Sequence, residues 1–480
     1  MRPVHWVFLA LVACGGSKDE GTTPTGTADT DTDTDADTDT DTDTDTDADT
    51  DTDTDTDTDT AVDAPEVSDV AVAIAPDMGT VVTITWSQSF DSEGYVEFGE
   101  GGAFTRTTRA VASDGGEGAA QLVALPPDTE ISYRIVVAGV PGATETFTTG
   151  SLPGAATMTV DGAQDHFFAL PLIDSKVSTA TIIDPQGRVV WMHEDTRGLS
   201  IFRVHVLNDG SGIVYTATLL AGKPNEGSVI VKVPWDGSSE EVIAVPNLAH
   251  DFVELDDGTL VSLAYEWRDK IEGNKLVSIS ADGSQVDDVW SAWDCYDPKT
   301  NPSIDLDHGW IHANALDYDA DRDAFLVGMR NLTTIAQVEW DGTCTWGFGG
   351  SGGTVDVSGA SFYHQHQFTR LDGGLLVFDN DGASGLESRV IEYSFDDKAG
   401  TAEVERIIRA DPAQYSFILG DAHRLDDGDT AIVWSVPSTI HRVSEDDELV
   451  FSMVADQGSL IFGFTEMLVD PGRPEAGVSR

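Results

Sequence analysis

The sequence predicts an all-β protein: a six-bladed β-propeller preceded by a small β-sandwich. Three observations predict it. No stretch after residue 62 carries a helical period, while short apolar runs bounded by Gly, Pro and Asp recur throughout. Two series of turns interleave through the C-terminal part. The first comprises Leu207-Asn208-Asp209-Gly210, Leu255-Asp256-Asp257-Gly258, the degenerate Leu316-Asp317-Tyr318-Asp319, Leu371-Asp372-Gly373-Gly374 and Leu425-Asp426-Asp427-Gly428, with gaps of 48, 61, 55 and 54 residues. The second is marked by Asp184, Asp236, Asp282, Asp341, Asp397 and Asp446, with gaps of 52, 46, 59, 56 and 49. A period of about fifty residues with two hairpin turns fits a four-stranded blade, and the second series counts six of them. Finally, residues 462–470 are suited to pair with 167–181, which closes a ring and hides open sheet edges.

The chain before the sandwich reads differently. Arg2 precedes an apolar run, 6–13, that is too short to span a bilayer but has the pattern of a secretory signal. The ending Leu11-Val12-Ala13-Cys14 is similar to a bacterial lipobox. The resemblance implies cleavage before Cys14, acylation of Cys14, and, with Gly15 following, an address at the outer membrane, periplasmic or cell-surface. Residues 14–61 are then a polar tether with almost nothing apolar to bury. Its 32-residue Asp-Thr tract carries Asp at every odd position from 29 to 59. Like charges hold such a tract open, to at most about 100 Å.

Removing the tract's 16 acids from the net charge of −59 leaves −43 on the rest of the chain. That excludes nucleic acid as a partner, because its binding rests on Lys and Arg neutralising phosphates. It also excludes adhesion to an anionic membrane face. An anionic substrate must be held by a few local cations against the overall field. Only Cys295 and Cys344 remain after Cys14, and an oxidising compartment is compatible with one disulfide between them. The sequence leaves their distance open.

Residues 62–152 are expected to form the sandwich, with strands over 67–75, 80–87, 94–98, 119–124, 130–137 and 144–148 and Trp86 as a core anchor. The stretch Leu125-Pro126-Pro127-Asp128-Thr129, followed by Tyr133, resembles the corner of fibronectin type III-like sandwiches. No catalytic cluster stands out there. The propeller is assigned to 155–480.

Five histidines precede the first turn series: His205, His250, His312, His366 and His423. In a propeller the strand that enters this turn is innermost, so several of them should meet in one channel. Strand parity divides them. His205, His312 and His423 stand two or four residues before their Leu and share a face; His250 and His366 stand five before, which is the opposite parity. The latter two need an entry loop or a bulge to join the others.

The neighbours of these histidines resemble the bacterial arylsulfate sulfotransferases that use no nucleotide donor. The resemblance rests on His250-Asp251-Phe252, on Trp310-Ile311-His312-Ala313-Asn314, on Arg330-Asn331 with Ile335, and on Gln365-His366 followed by Leu376-Val377-Phe378-Asp379-Asn380. It covers about residues 160–470 and implies a β-sandwich with a six-bladed propeller. It also implies ping-pong transfer of a sulfuryl group from an aryl sulfate to a phenolic acceptor, through a sulfohistidine on His366, with no cofactor. Neutral imidazole, with an ordinary pKa of about 6.5, suits a nucleophile at neutral pH. Arg330 would neutralise the sulfuryl oxygens; His250, His312 and Asn314 would add hydrogen bonds, and His250 or His312 would protonate the leaving phenolate.

Other readings stand beside this one. His364 becomes the nucleophile if the motif's register slips. His205 and His423 line the channel without chemistry, and His193, His308 and His441 fall outside the pattern as surface or turn residues. Arg330 also has a structural reading, as an ion-pair partner in an acidic chain. His250, His312 and His366 could make an open metal site for a lactonase-like hydrolase, although a neighbouring Arg repels a cation. A non-catalytic surface-binding propeller is the third reading. The alternating Asp317, Asp319, Asp321 and Asp323 lack the Gly and terminal Glu of a calcium loop and read as a solvated hairpin. No phosphate-binding Gly-Lys-Ser/Thr loop and no Gly-x-Ser-x-Gly elbow is present.

Overall fold

The computed structural model describes residues 65–174, 177–219, 227–304, 309–381, 387–474 and 478–479. All of them belong to the compact unit Asp63–Arg480. Cys14, the Asp-Thr tract and His308 lie outside the described residues. Strands dominate; the helical elements among the described residues are the single turn Ala292–Cys295 and the 3-10 turn Arg330–Leu332. No described helix is long and apolar enough to cross a membrane.

Residues 67–148 build two antiparallel sheets. One holds Val67–Ile74, Val82–Gln88 and Glu117–Leu122; the other centres on Glu93–Glu100 and Glu130–Val137. Alternation along the strands sends Ile84, Trp86, Val96, Phe98, Leu122 and Ile135 into one shared core. Trp86 is buried within it, as the sequence predicts. The corner resemblance does not carry through in detail. Tyr133 is buried, but its hydroxyl donates to Glu145 Oε2 at 2.7 Å rather than back to the corner's backbone.

After residue 157 the described strands form six sheets in chain order. The second to fourth are simple meanders of four strands, beginning with Ser200–Val206, Leu248–Glu254 and Ala313–Asp319. The fifth and sixth begin with Phe368–Leu371 and Asp421–Arg424. Four turns of the first series join the first and second strands of a sheet, and the second series joins the last two strands of its meander. The degenerate copy Leu316–Asp319 instead lies within the strand Ala313–Asp319, and the turn follows at 320–323. The turns hold by Asx chemistry. Asp209, Asp257 and Asp427 each accept the backbone N–H two residues on, as do Asp236, Asp282 and Asp341. Gly258, at φ +80°, sits where an L side chain is strained. The acidic run 317–323 spans the end of Ala313–Asp319 and the turn to Ala324–Met329, with Asp323 accepting from Tyr318 and Trp340. Contrary to the solvated reading, Asp319 is buried and paired with Arg322 at 2.9 Å.

The first sheet explains why the first turn series has five members and the second six. Its strands Phe167–Ile173, Ser178–Ile183 and Val189–Asp195 receive their inner neighbour, Glu466–Leu468, from the chain end. Phe167 pairs with Leu468 and Ala169 with Glu466, as the sequence predicts. A second closure was not legible in it: Met158–Gly162 adds to the outer edge of the sixth sheet by pairing with Leu449–Ala455. The first strands of successive sheets contact one another. The series returns on itself where Thr465 N donates to Asp421 Oδ2 (2.9 Å) and Val206 N to Glu466 Oε2 (2.8 Å).

Cys295 and Cys344 form a disulfide, with Cα atoms 6.1 Å apart. It staples the outer ends of the third and fourth sheets across a loop of 49 residues. Opening a loop of that length in the unfolded chain should cost about 4 kcal/mol of stability. Denaturant unfolding of the Cys295→Ser, Cys344→Ser double variant checks this; an unchanged midpoint refutes it.

Candidate active site

The parity division of the histidines holds for four of the five. His205 and His423 lie on first strands and line a cavity of about 230 Å³, together with Arg203, Glu254, Asp317 and Glu466. Burial pushes the Asp317 carboxyl up to about 6. His366 lies on the loop before Phe368–Leu371, and His250 on a strand whose register shifts between Leu248 and Phe252. His312 departs from the parity expectation. It precedes its strand at φ +46°, and the register shifts between Ala313 and Ala315. That irregularity takes it off the face of His205 and His423 and brings its ring to 4.9 Å from that of His250.

One carboxylate ties the surrounding strands together. Asp251 is fully buried, and Oδ1 accepts from Arg203 Nε (2.5 Å) and from Phe252 N (3.0 Å). Oδ2 accepts from Leu316 N (2.8 Å) and Gln367 Nε2 (2.5 Å). Arg203, Asp251, Leu316 and Gln367 come from four successive sheets or their entry loops. Asp251 is covalently next to His250, and Gln367 next to His366. The Arg203 guanidinium lies 5.1 Å above the Phe464 ring, which in turn sits 6.2 Å from His366.

His366 is almost fully buried, and its Nδ1 lies 2.8 Å from Asn380 Oδ1. The direction of that bond follows from Asn380. Its amide nitrogen already donates to the carbonyls of Ser416 (2.6 Å) and Leu419 (2.7 Å), so its oxygen faces the ring as an acceptor. His366 therefore carries its proton on Nδ1 and presents the Nε2 lone pair. Burial pushes this imidazole down to about 3; the Asn380 bond works against the shift, and the charge of Arg330 adds to it. Gly420 allows the close approach of the neighbouring loop, since a Cβ there would lie 2.1 Å from Phe378.

Arg330 opens the turn Arg330–Leu332, and its backbone N donates to His312 O at 3.0 Å. Its guanidinium donates to Asn331 Oδ1 at 2.7 Å, and Asn331 is buried and donates to Gly309 O. Asn314 is fully buried and gives one amide N–H to Gln365 O at 2.8 Å, beneath the loop that carries His366. The structure thus gathers His250, His312, His366, Arg330 and Asn314 into one region. No group of three or more His, Cys, Asp or Glu among the described residues is arranged to hold a metal ion.

A family model described as Arylsulfotransferase (ASST) matches residues 157–450, more than half of the chain. The chain belongs to the arylsulfotransferase family. It is thereby a sulfotransferase, in agreement with the resemblance its motifs carry. A search of curated proteins returned no match. Among solved structures it is similar to a Bacteroides caccae protein of unknown function, at 12% identity and TM-score 0.42, over 62% of this chain and 98% of that one. It is also similar to a virginiamycin B lyase from Staphylococcus aureus, at 11% identity and TM-score 0.37, over 66% of this chain and 97% of that one. Likenesses this weak carry nothing further.

For this arylsulfotransferase, several residues gained a place that sequence reasoning did not give them. Asp251 and Asn380 stood in recognised motifs without a role, and Arg203 stood in none. An Arg and an Asp amid strands otherwise apolar enough to be buried were the available signal. Phe464 had no signal at all. His364 sits at φ +55° with Nδ1 against Asp381. His441, expected at the surface, is buried and accepts from Trp434 Nε1 (3.2 Å), because it alternates inward on the strand Thr439–Val443. His193 is half-buried and meets Glu240 at 2.8 Å.

Removing the Asp251 carboxylate strips buried Arg203 of its hydrogen-bonded acceptor, leaving only the longer-range charges of Asp421 and Glu466, and takes the acceptor from Leu316 N and Gln367 Nε2. Asp251→Ala should lose about 3–5 kcal/mol of stability, read by equilibrium unfolding. A loss below about 1 kcal/mol, typical of an exposed pair, would contradict the burial argument.

Proposed function

We propose that this sulfotransferase works by a ping-pong cycle through His366, moving a sulfuryl group from an aryl sulfate to a phenol. The observation that carries the proposal is the His366–Asn380 bond, which leaves Nε2 as the free nucleophilic nitrogen. Nε2 attacks the sulfur of the donor; the N–S bond forms as the S–O bond breaks, and the aryl oxygen leaves with that electron pair. His250 or His312 supplies the proton that the departing phenolate takes up. A phenol then gives up its proton to that same histidine, restoring it; the phenol oxygen attacks the sulfur, and the N–S pair returns to Nε2. Arg330 stabilises the charge on the sulfuryl oxygens, and Asn314 adds a hydrogen bond from its second amide N–H. The low basicity of His366 keeps it neutral in a chain whose field otherwise favours protonation.

This reading takes the six sheets as blades of a propeller, with 155–480 its extent and 62–152 a separate fibronectin type III-like sandwich. It also places the enzyme outside the cytoplasm, held to the outer membrane by an acylated Cys14 and the Asp-Thr tether. The lipobox resemblance and the disulfide support that address.

Purified protein given an aryl sulfate should release phenol in proportion to added phenolic acceptor. His366→Ala should lose this release; equal rates for the two proteins would end the proposal. Asn380→Ala frees the tautomer and should slow the donor step by about 10²-fold or more in stopped-flow measurements. The pH dependence has a defined sign. The reactive form is the unprotonated one, and its pKa is lowered to about 3. The donor step should therefore not fall as pH drops from about 8 to about 5, where an ordinary histidine would lose most of its nucleophile. A fall centred near the ordinary histidine value would contradict the assignment.

A further inference from the structure

The loop that fixes Asn380 also carries aromatic side chains into solvent. Ser416 is fully buried and its carbonyl accepts from Asn380 Nδ2, yet its neighbours Tyr415 and Phe417 are 36% and 50% exposed. Their rings stand 6.3 Å apart. Tyr363, 41% exposed, joins them from the loop before His366: its carbonyl accepts from Asp381 N, and the Tyr415 hydroxyl donates to Asp381 Oδ1 at 3.2 Å. Asp381 follows Asn380 directly and is partly open to solvent. Three large rings are thus held in water beside the nucleophile's anchor by a buried backbone, with a partly exposed carboxylate, engaged by Tyr415 and His364, at their base. Exposed apolar side chains grouped this way mark a binding surface.

Resting on the transferase reading above, we propose that Tyr363, Tyr415, Phe417 and Asp381 form the rim that selects the acceptor. The rings stack on the phenol, and the carboxylate favours phenols bearing an ammonium over those bearing a carboxylate. The continuity of the rim with His366 through Asn380 argues for a small aromatic occupant that must present its hydroxyl to that residue. The acidity of the chain acts in the same direction, drawing cations and repelling anions. Burial alone would raise the Asp381 carboxyl, but His364, Tyr415 and the charge of Arg330 outweigh it and hold it ionised.

The test uses the full chain with 4-nitrophenyl sulfate as donor and three acceptors of similar shape: tyramine, 4-ethylphenol and 3-(4-hydroxyphenyl)propionate. The nitrophenol burst without acceptor counts competent His366 and reports separately on the transferase reading. The wild type should prefer the three acceptors in the order given. Tyr415→Ala with Phe417→Ala, and Phe417→Ala alone should the double variant fold poorly, should raise the acceptor KM, by about tenfold for the pair. Asp381→Asn should narrow the preference for tyramine over the carboxylate by about fivefold. A burst with unchanged acceptor KM in the ring variants overturns the rim, as does a wild-type preference for the propionate. Absence of any burst overturns the transferase reading and the rim with it.

Discussion

The buried carboxylate of Asp251 is the constraint on which the rest of the site depends. It holds a guanidinium, an amide and two backbone N–H groups, and its partners span four consecutive sheets. An ion pair this far from water contributes little net stability compared with apolar packing, but breaking it is costly. Its consequence here is geometric. His250 is covalently next to Asp251, and His366 is next to the Gln367 that bonds it. Two histidines on different sheets are therefore referenced to one point, and the irregularity at His312 brings a third against His250.

The chemistry that follows is governed by where charge is absent. The chain outside the Asp-Thr tract carries −43, a field that repels a sulfate ester and favours protonated histidines. Burial of His366 answers the second problem by penalising its charged form, and Asn380 settles which nitrogen keeps the proton. In the proposed mechanism Arg330 answers the first locally. The same residue lowers the basicity of His366, so in that mechanism one cation would serve both the substrate's oxygens and the protonation state of the nucleophile.

Much of the fold was legible because its signals are local. Asx turns with a following Gly mark hairpins through short-range chemistry, so the two turn series located the hairpins of all six sheets. The chain-end pairing was legible from apolar complementarity. The outer closure by Met158–Gly162 was not, because a short edge strand carries no pattern of its own. That the motif histidines and Arg330 come together was readable, whereas strand parity misplaced His312 because a bulge is invisible to a period of two. The partners of Asp251 could not be read from order along the chain, since Arg203 and Gln367 meet it only after the sheets close. His441 was misjudged because it matches no motif, and a buried histidine beside a Trp looks no different in sequence from an exposed one.

The most direct measurement is the covalent state of His366 after brief exposure to an aryl sulfate without acceptor. Peptide mapping by mass spectrometry at alkaline pH, where an N–S bond to imidazole survives, should find a sulfuryl adduct confined to the peptide containing His366. The adduct should disappear when a phenol is added. Phenol release with no adduct, or an adduct on another residue that turns over at the same rate, would contradict His366 as the group that carries the sulfuryl.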